Sequence, residues 1–265
     1  MIKRVLQGVF ANLFGVVGQT FLRLISVPLF IAAWGTVQYG EWLVLMAIPA
    51  YLSFSDFGFA SAGANKMTID YADGRHEEVY TLFNALFWAI NIWLFLLAIP
   101  IFLVIWLVDI KELLGIEHLP EISVKTVVAL GLLNVVFSFT SGVFVAGFRA
   151  VKRYPLGTFL ENIFVFLQQS AVLLVVFLGG DLVFAALTLV LARMFMNGVH
   201  LVTLRMVHPS LRLRKPAKLG LVRPLVTPGM SFMGLKLGDA LVAQGLTVLV
   251  GKYLGAHTVV LFDTT

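Results

Sequence analysis

Long stretches without a charged residue constrain this chain more than any other feature of its sequence. The stretches Leu94 to Val108 and Ala171 to Leu178 leave no polar face for water. About 20 apolar residues cross a bilayer core as an α-helix, and backbone groups in lipid must be satisfied within helices or closed barrels. The sequence therefore predicts an all-α, polytopic bundle of transmembrane helices.

The length of about 20 apolar residues per transmembrane helix predicts seven spans and the start of an eighth at Val259. The apolar stretch after Met1-Ile-Lys-Arg exceeds the h-region of a signal peptide, about 7 to 15 residues, so we expect an uncleaved first span. The predicted spans are 5–34, 38–64, 79–108, 122–148, 155–178, 182–206 and 224–251.

The low content of charged residues also indicates a membrane protein, and the distribution of these residues predicts its orientation in the membrane. Charged residues make up 12% of the chain and hydrophobic residues 60%, whereas soluble domains have about 25% charged residues. Of the lysines and arginines in the predicted loops and at the N-terminus, all but Lys111 and Lys252 lie on one side. By the positive-inside rule that side, with the N-terminus, is cytoplasmic. Basic cytoplasmic loops explain the net charge of +5 without nucleic acid.

A weak internal repeat predicts how the chain is divided. Gly35 closes span one and Gly255 closes span seven, in similar local sequence. Six spans separate the two copies, and an even number makes the halves parallel. We therefore expect a six-helix first lobe at 1–206, a basic cytoplasmic linker at 207–223 and the first helix of a second lobe in 224–265, which would be truncated.

Three segments carry a resemblance to a known family. They are residues 23–30 (RLISVPLF), 35–42 (GTVQYGEW) and 52–65 (LSFSDFGFASAGAN). In this order and spacing they resemble the opening of Wzx-type O-antigen flippases, polysaccharide transporters of the multidrug/oligosaccharidyl-lipid/polysaccharide exporter superfamily.

The resemblance implies two six-helix lobes around a central cavity. Its implied activity is alternating-access transfer of undecaprenyl-pyrophosphate-linked oligosaccharide, an O-antigen or exopolysaccharide repeat unit, across the bacterial inner membrane in lipopolysaccharide or other polysaccharide biosynthesis. The implied partners are the polyprenyl-pyrophosphate-linked glycan, membrane lipid and polysaccharide polymerase or assembly proteins. No cofactor is implied.

Ionisable side chains at bilayer depth cost at least about 2.5 kcal/mol on insertion scales and are functional candidates for that reason. Together with polar neighbours on the same helix faces, they give two sets of candidates. The candidates for substrate binding in a cavity are Arg23, Arg193, Asn197, His200, Lys236 and Gln168. The candidates for a gating or structural role are Asp56, Glu161 and Asp239.

Two of these groups favour an anionic or sugar ligand. Arg23 lies about 27 Å along span one at 1.5 Å per residue, where a guanidinium suits a pyrophosphate; the alternative is an interhelical hydrogen bond or a snorkelling side chain. Arg193, Asn197 and His200 are spaced i, i+4 and i+7 on one helix face. That face is either a wet cavity wall or a helix-to-helix contact.

The remaining candidates have structural alternatives of their own. Glu161 and Gln168 share a face of span five and suit either sugar contacts or helix packing. Lys236 and Asp239, at i and i+3, can neutralise one another. Asp56 suits a helix-end contact or a gate between lobes.

Other functional classes are less well supported. The chain has no cysteine and no hydrolase triad, metal-ligand cluster or phosphate-binding loop, so we expect neither an enzyme nor a metal protein. A drug/cation antiporter of the same superfamily should favour acidic cavity residues. A non-transporting membrane fragment is the third alternative.

Overall fold

The computed structural model describes residues 2–53, 58–213, 219–228 and 246–263, and some side chains within these ranges, including that of Arg23, lie outside the description. The described residues form helices and turns, which confirms the all-α prediction. Five of the helices are long and apolar enough to cross a membrane. The elements are α1 (Ile2–Ser53), α2 (Phe59–Ala72), α3 (His76–Leu107), α4 (Ile110–Leu114), α5 (Glu121–Ala150), α6 (Tyr154–Phe177), α7 (Leu182–Val207), a 3-10 helix (Leu219–Leu225), α8 (described over 246–254) and α9 (Ala256–Asp263).

Helix α1 is two helices that fold back on each other at Gly35. Gly35 has φ 75° and ψ 168°, a conformation that only glycine adopts readily. The rings of Phe30 and Tyr39 stack with centroids 5.0 Å apart, whereas nine residues of straight helix would separate them by about 13.5 Å. The predicted boundary between spans one and two therefore falls at this break. We call residues 2–34 the first limb and residues 36–53 the second limb.

The first limb packs in parallel along α6. Gly15 lies against Asn162 and Gly18 lies against Phe166, with no room for a β-carbon at Gly15. At the far end of the limb, Trp34 Nε1 donates a 2.9 Å hydrogen bond to the Gly180 carbonyl just beyond α6. Residues with higher numbers in the first limb contact residues with higher numbers in α6, so the first limb and α6 run in the same direction.

The second limb packs in parallel along α5. Glu41 contacts His118 just before α5 begins, and Pro49 packs against Gly131 within it. A turn of only three residues, 151–153, joins α5 to α6, so α5 and α6 run in opposite directions. The two limbs of α1 are therefore antiparallel and pass through the bundle twice. We call the end of the bundle that holds residues 151–153 the proximal side and the end that holds Gly35 the distal side.

Helix α5 is the centre of the bundle, with α3 and α7 on it as well. Thr140 donates to Asn91 of α3 at 2.8 Å, and Ser141 donates to Asn197 of α7 at 2.6 Å. Polar contacts therefore tie α5 to both neighbours at similar depth.

Two sequence predictions about spans are wrong in detail. The span 38–64 is divided, because α1 ends at Ser53 and α2 begins after Gly58, whose φ is 62°. The polar stretch 65–78, which falls between two predicted spans, is helical as far as Ala72. An ion pair of 2.7 Å from Lys66 to Asp70, one turn apart, stabilises this end of α2. Most of the predicted span 224–251 lies outside the described residues.

The local similarity behind the predicted repeat has a structural counterpart. Gly255, with φ 85°, separates α8 from α9 as Gly35 separates the limbs of α1. The C-terminal helices pack on the second limb, with Gly251 against Val44 and Ala256 against Gly40. The repeat itself and the division into 1–206, 207–223 and 224–265 stay predictions.

The break at Gly35 generates a first prediction. Gly35→Ala should lower the free energy of unfolding by about 1 to 3 kcal/mol, because a side chain at this φ and ψ is strained. Thermal unfolding in detergent measures the change. The matched control is Gly198→Ala within α7, where a β-carbon meets nothing within 4 Å and should stabilise the helix slightly. Equal unfolding temperatures for the two variants would contradict the assignment of Gly35 as an obligatory glycine.

Candidate functional site

One surface of the bundle, along the second half of α3, is apolar. It consists of exposed side chains on α3, and their type and depth suit contact with lipid hydrocarbon. They include Phe95, Leu96, Ile99, Leu103 and Trp106, each more than half exposed.

A second surface, between the first limb of α1 and α6, contains a group of polar side chains. A cavity of about 140 Å³ lies there, lined by Gln19, Ser26 and Gln169 together with three apolar side chains. Gln169 is exposed and lies about 5 Å along the axis from the midpoint of α6, at 1.5 Å per residue. Polar side chains at such depth face protein or a water-filled cavity rather than lipid. We call Gln19, Ser26 and Gln169 the polar wall.

The position of Arg23 on the α1 backbone relates it to the polar wall. It follows Gln19 by four residues and precedes Ser26 by three, so the three positions share a face of the helix. Its side chain lies outside the described residues. Gln19 and Ser26 were not among the predicted site residues, although their spacing around Arg23 is visible in the sequence.

Arg193 lies behind α6, in the interior of the bundle. Its Nη1 donates to Glu161 Oε1 at 3.1 Å and its Nη2 to Gln168 Oε1 at 3.0 Å. The Arg193 side chain is 11% exposed and that of Glu161 is 30% exposed. A charged side chain at this depth is thus neutralised by a carboxylate and held by an amide.

Gln168 and Asn197 extend this polar interior. Gln168 Nε2 donates to the Leu189 carbonyl at 2.7 Å and to Asn134 Oδ1 at 3.1 Å. Asn197 Nδ2 donates to the Phe137 carbonyl at 2.9 Å. For these two residues the structure contains the helix-to-helix hydrogen bonds that were one of the two interpretations of the sequence.

His200 is fully buried, with its Nε2 3.9 Å from Glu161 Oε2. The rings of Phe164, Phe148 and Phe144 surround the imidazole, with centroids 5.8, 6.0 and 6.4 Å away. We call Glu161, Arg193 and His200 the ionic cluster. Within the described part of the chain, four of its buried atoms have no hydrogen-bond partner: Glu161 Oε2, Arg193 Nε, and both ring nitrogens of His200.

Sequence reasoning missed two buried carboxylates near the ends of the bundle. On the distal side, Glu41 Oε1 accepts from the backbone N–H groups of Glu117 and His118, at 3.1 and 2.9 Å. On the proximal side, Asp70 binds Lys66 and also Arg75, at 2.6 Å. Each carboxylate fixes a connecting segment to a helix. The i, i+4 spacing of Lys66 and Asp70 was a usable signal, but nothing in the sequence near Glu41 points to a loop 76 residues away.

One histidine, His208, lies outside the spans on the proximal side of the bundle. His208 follows α7, and its Nε2 lies 3.4 Å from the Tyr71 hydroxyl at the end of α2. Burial, followed by the electrostatic interaction with nearby His76, lowers the pKa of His208 below its ordinary value.

The remaining predicted site residues, Asp56, Lys236 and Asp239, lie outside the described residues. Within the described ranges no group of three or more His, Cys, Asp or Glu residues is arranged to hold a metal ion. The structure thus brings Arg193, Glu161, His200, Gln168 and Asn197 together and leaves the others unplaced.

Comparison with known proteins gives one match. A family model described as polysaccharide biosynthesis protein matches residues 5–264. No curated protein and no solved structure matches the chain.

The ionic cluster generates a second prediction. Arg193→Ala should lower the free energy of unfolding by roughly 3 kcal/mol, because it leaves the buried carboxylate of Glu161 without its counter-charge. The double variant Glu161→Gln/Arg193→Ala should recover part of that loss, since no unpaired charge remains. Thermal unfolding in detergent tests both, with the exposed Arg205→Ala as the matched control. A double variant no more stable than Arg193→Ala would contradict the ion-pair interpretation.

Proposed function

Because the chain belongs to the polysaccharide biosynthesis protein family, which includes the Wzx-type flippases, we propose that it moves polyprenyl-pyrophosphate-linked oligosaccharide across the bacterial inner membrane. It is a multi-pass membrane protein with several helices able to span a bilayer. The observation that carries the proposal is the polar wall at mid-depth of the bundle, on a different surface from the apolar side chains of α3.

The chemistry of the polar wall suits a glycan. The amides of Gln19 and Gln169 each offer a donor and an acceptor, and Ser26 adds a hydroxyl to the same wall. Sugar hydroxyl groups need such partners when they leave water. A cavity of about 140 Å³ bounded by these groups suits hydroxyl-bearing ligands better than purely apolar ones.

The anionic headgroup requires positive charge. We propose that Arg23, on the same helix face as the polar wall, holds the pyrophosphate, since its guanidinium presents a fork of donors. Lys236 is a second proposed cation. Arg193 is proposed as a third, positioned by Gln168, and it requires Glu161 to release it.

The gating candidates, the orientation of the chain and the lipid tail belong to the same proposed mechanism. Transport proceeds by alternating access between two lobes, with Asp56 and Asp239 as gating residues and the N-terminus in the cytoplasm. The polyprenyl tail stays in the bilayer throughout. Export of the pyrophosphate toward a positive exterior is favoured by about 2.3 kcal/mol per charge per 100 mV. The protein carries out no covalent chemistry and needs no cofactor in this proposal.

The polar wall generates a third prediction. Gln169→Leu should reduce glycan export about tenfold, the factor that corresponds to loss of about 1.4 kcal/mol of hydrogen bonding. Arg23→Ala should reduce export more strongly, because it removes a charge-assisted contact. Surface polysaccharide staining in a bacterium that lacks its own O-antigen flippase and expresses the chain measures export.

The control is Phe95→Leu on the apolar surface, which should leave export unchanged. An immunoblot of membranes shows that each variant is present in equal amount. Normal surface glycan in both Gln169→Leu and Arg23→Ala would contradict the proposed role of the polar wall. If the chain conferred resistance to toxic organic cations instead of export, a drug/cation antiporter would replace the proposal.

A further inference from the structure

The proximal side of the bundle has a groove of about 740 Å³. It lies between α2, the start of α3 and the 3-10 helix. Most of its lining surface is apolar and comes from Leu82 of α3 and from Leu221, Pro224 and Leu225 of the 3-10 helix. Ligand sites in proteins commonly have volumes of about 300 to 1,000 Å³. We call this feature the proximal groove.

The edge of the proximal groove is acidic. The charged groups in or beside it are four carboxylates, Asp70, Asp73, Glu77 and Glu78, and two cations, Lys66 and Arg75. Arg75 is shared, because it pairs with Asp70 at 2.6 Å and with Asp73 at 2.7 Å and reaches Glu78 only at 3.7 Å. Glu77 forms no ion pair with any described residue. Two negative charges are therefore uncompensated among these groups.

This acidic edge is an exception on the proximal side. The segments 1–4, 149–154 and 207–223, which the sequence assigns to the same side, contain lysine and arginine but no aspartate or glutamate. Anionic lipid headgroups attract such basic segments at a cytoplasmic surface, and they repel carboxylates. Glu77 and Glu78 stabilise the first turn of α3, but the Glu78 side chain is still 59% exposed. Lipid contact and helix stability therefore leave the charge of the edge without a counterpart.

From these observations we propose that the proximal groove is a docking site for a partner protein that presents a short segment of basic and apolar side chains. Lysine or arginine side chains of the partner face Glu77 and Glu78. Its apolar side chains enter between Leu82 and Leu221. Apolar burial supplies most of the affinity, and the complementary charge selects basic segments and speeds their encounter.

The position of the groove lets a partner contact the connection to the C-terminal helices. The 3-10 helix leads from α7 toward α8, and its buried Val222 and Leu225 pack with side chains of α2 and α3. Just before it, Asn84 Nδ2 of α3 donates a 2.9 Å hydrogen bond to the Arg212 carbonyl. A segment bound in the groove therefore touches the first helices and this connection at once. The proposal goes beyond transport and does not depend on it.

The test is a binding titration with a synthetic peptide. The full chain, in nanodiscs of uncharged phosphatidylcholine, is titrated with a short fluorescent peptide that alternates lysine and leucine, and fluorescence anisotropy measures binding. Empty nanodiscs give the contribution of lipid. The lysine peptide should bind the native chain, and a peptide with glutamate in place of lysine should bind about tenfold more weakly or not at all, because its charge is repelled.

Two variants of the groove separate its charge from its apolar lining. Glu77→Gln/Glu78→Gln should weaken binding of the lysine peptide about fivefold, since two exposed ion pairs are lost. Leu221→Ser should weaken binding of both peptides, because it removes apolar contact. The matched control is Glu112→Gln/Glu117→Gln, which removes two exposed carboxylates on the distal side and should leave binding as it is in the native chain. Thermal unfolding shows that each variant is folded.

Three results would overturn the proposal. The first is a lysine peptide that binds the native chain no better than empty nanodiscs. The second is equal affinity for the native chain, Glu77→Gln/Glu78→Gln and Leu221→Ser. The third is binding that is seen only in Arg214→Gln/Lys215→Gln/Lys218→Gln, which would assign the groove to the basic segment of the chain itself.

Discussion

The need to bond or hydrate every polar group inside a low-dielectric layer governs this structure. The backbone meets it by forming helices, and the side chains meet it in pairs that join helices, such as Ser141 with Asn197 and Asn91 with Thr140. Arg193 meets it through Glu161 and Gln168. Within the described residues this requirement is not met at His200, whose two ring nitrogens have no hydrogen-bond partner, while Gln169 presents its amide at an exposed position of α6.

The polar wall and the ionic cluster have different surroundings. The polar wall faces outward from the bundle, and in our proposal it binds the hydroxyl groups of a glycan, while the ionic cluster lies behind α6 in the interior of the bundle. Gln168 and Gln169 illustrate the relation, because adjacent residues of one helix point to the two sites. Gln168 is buried and bonded to Arg193, and Gln169 lines the cavity next to α1.

Much of the fold follows from the sequence because lipid leaves few options. Apolar length predicts α3, α5, α6 and α7 to within a few residues, and Gly35 marks the reversal of α1. The end of α2 was mispredicted because a hydropathy pattern does not register that Asp70 is buried and bonded to Lys66 and Arg75. The partners of Arg193 and Glu41 depend on which helices become neighbours, and one sequence does not determine that. The spacing of Arg193, Asn197 and His200 correctly placed them on one face, but it could not say whether that face meets another helix or water.

The central claim is that the polar wall faces water while the exposed face of α3 meets lipid. The chain has no cysteine, so single cysteines at Gln19 and Gln169, and at Leu96 and Leu103, can be introduced without removing any native thiol. Reaction of these variants in native membranes with a small water-soluble maleimide tests the claim most directly. We predict labelling at positions 19 and 169 and almost none at 96 and 103. Equal labelling at all four positions, or labelling confined to 96 and 103, would contradict the account.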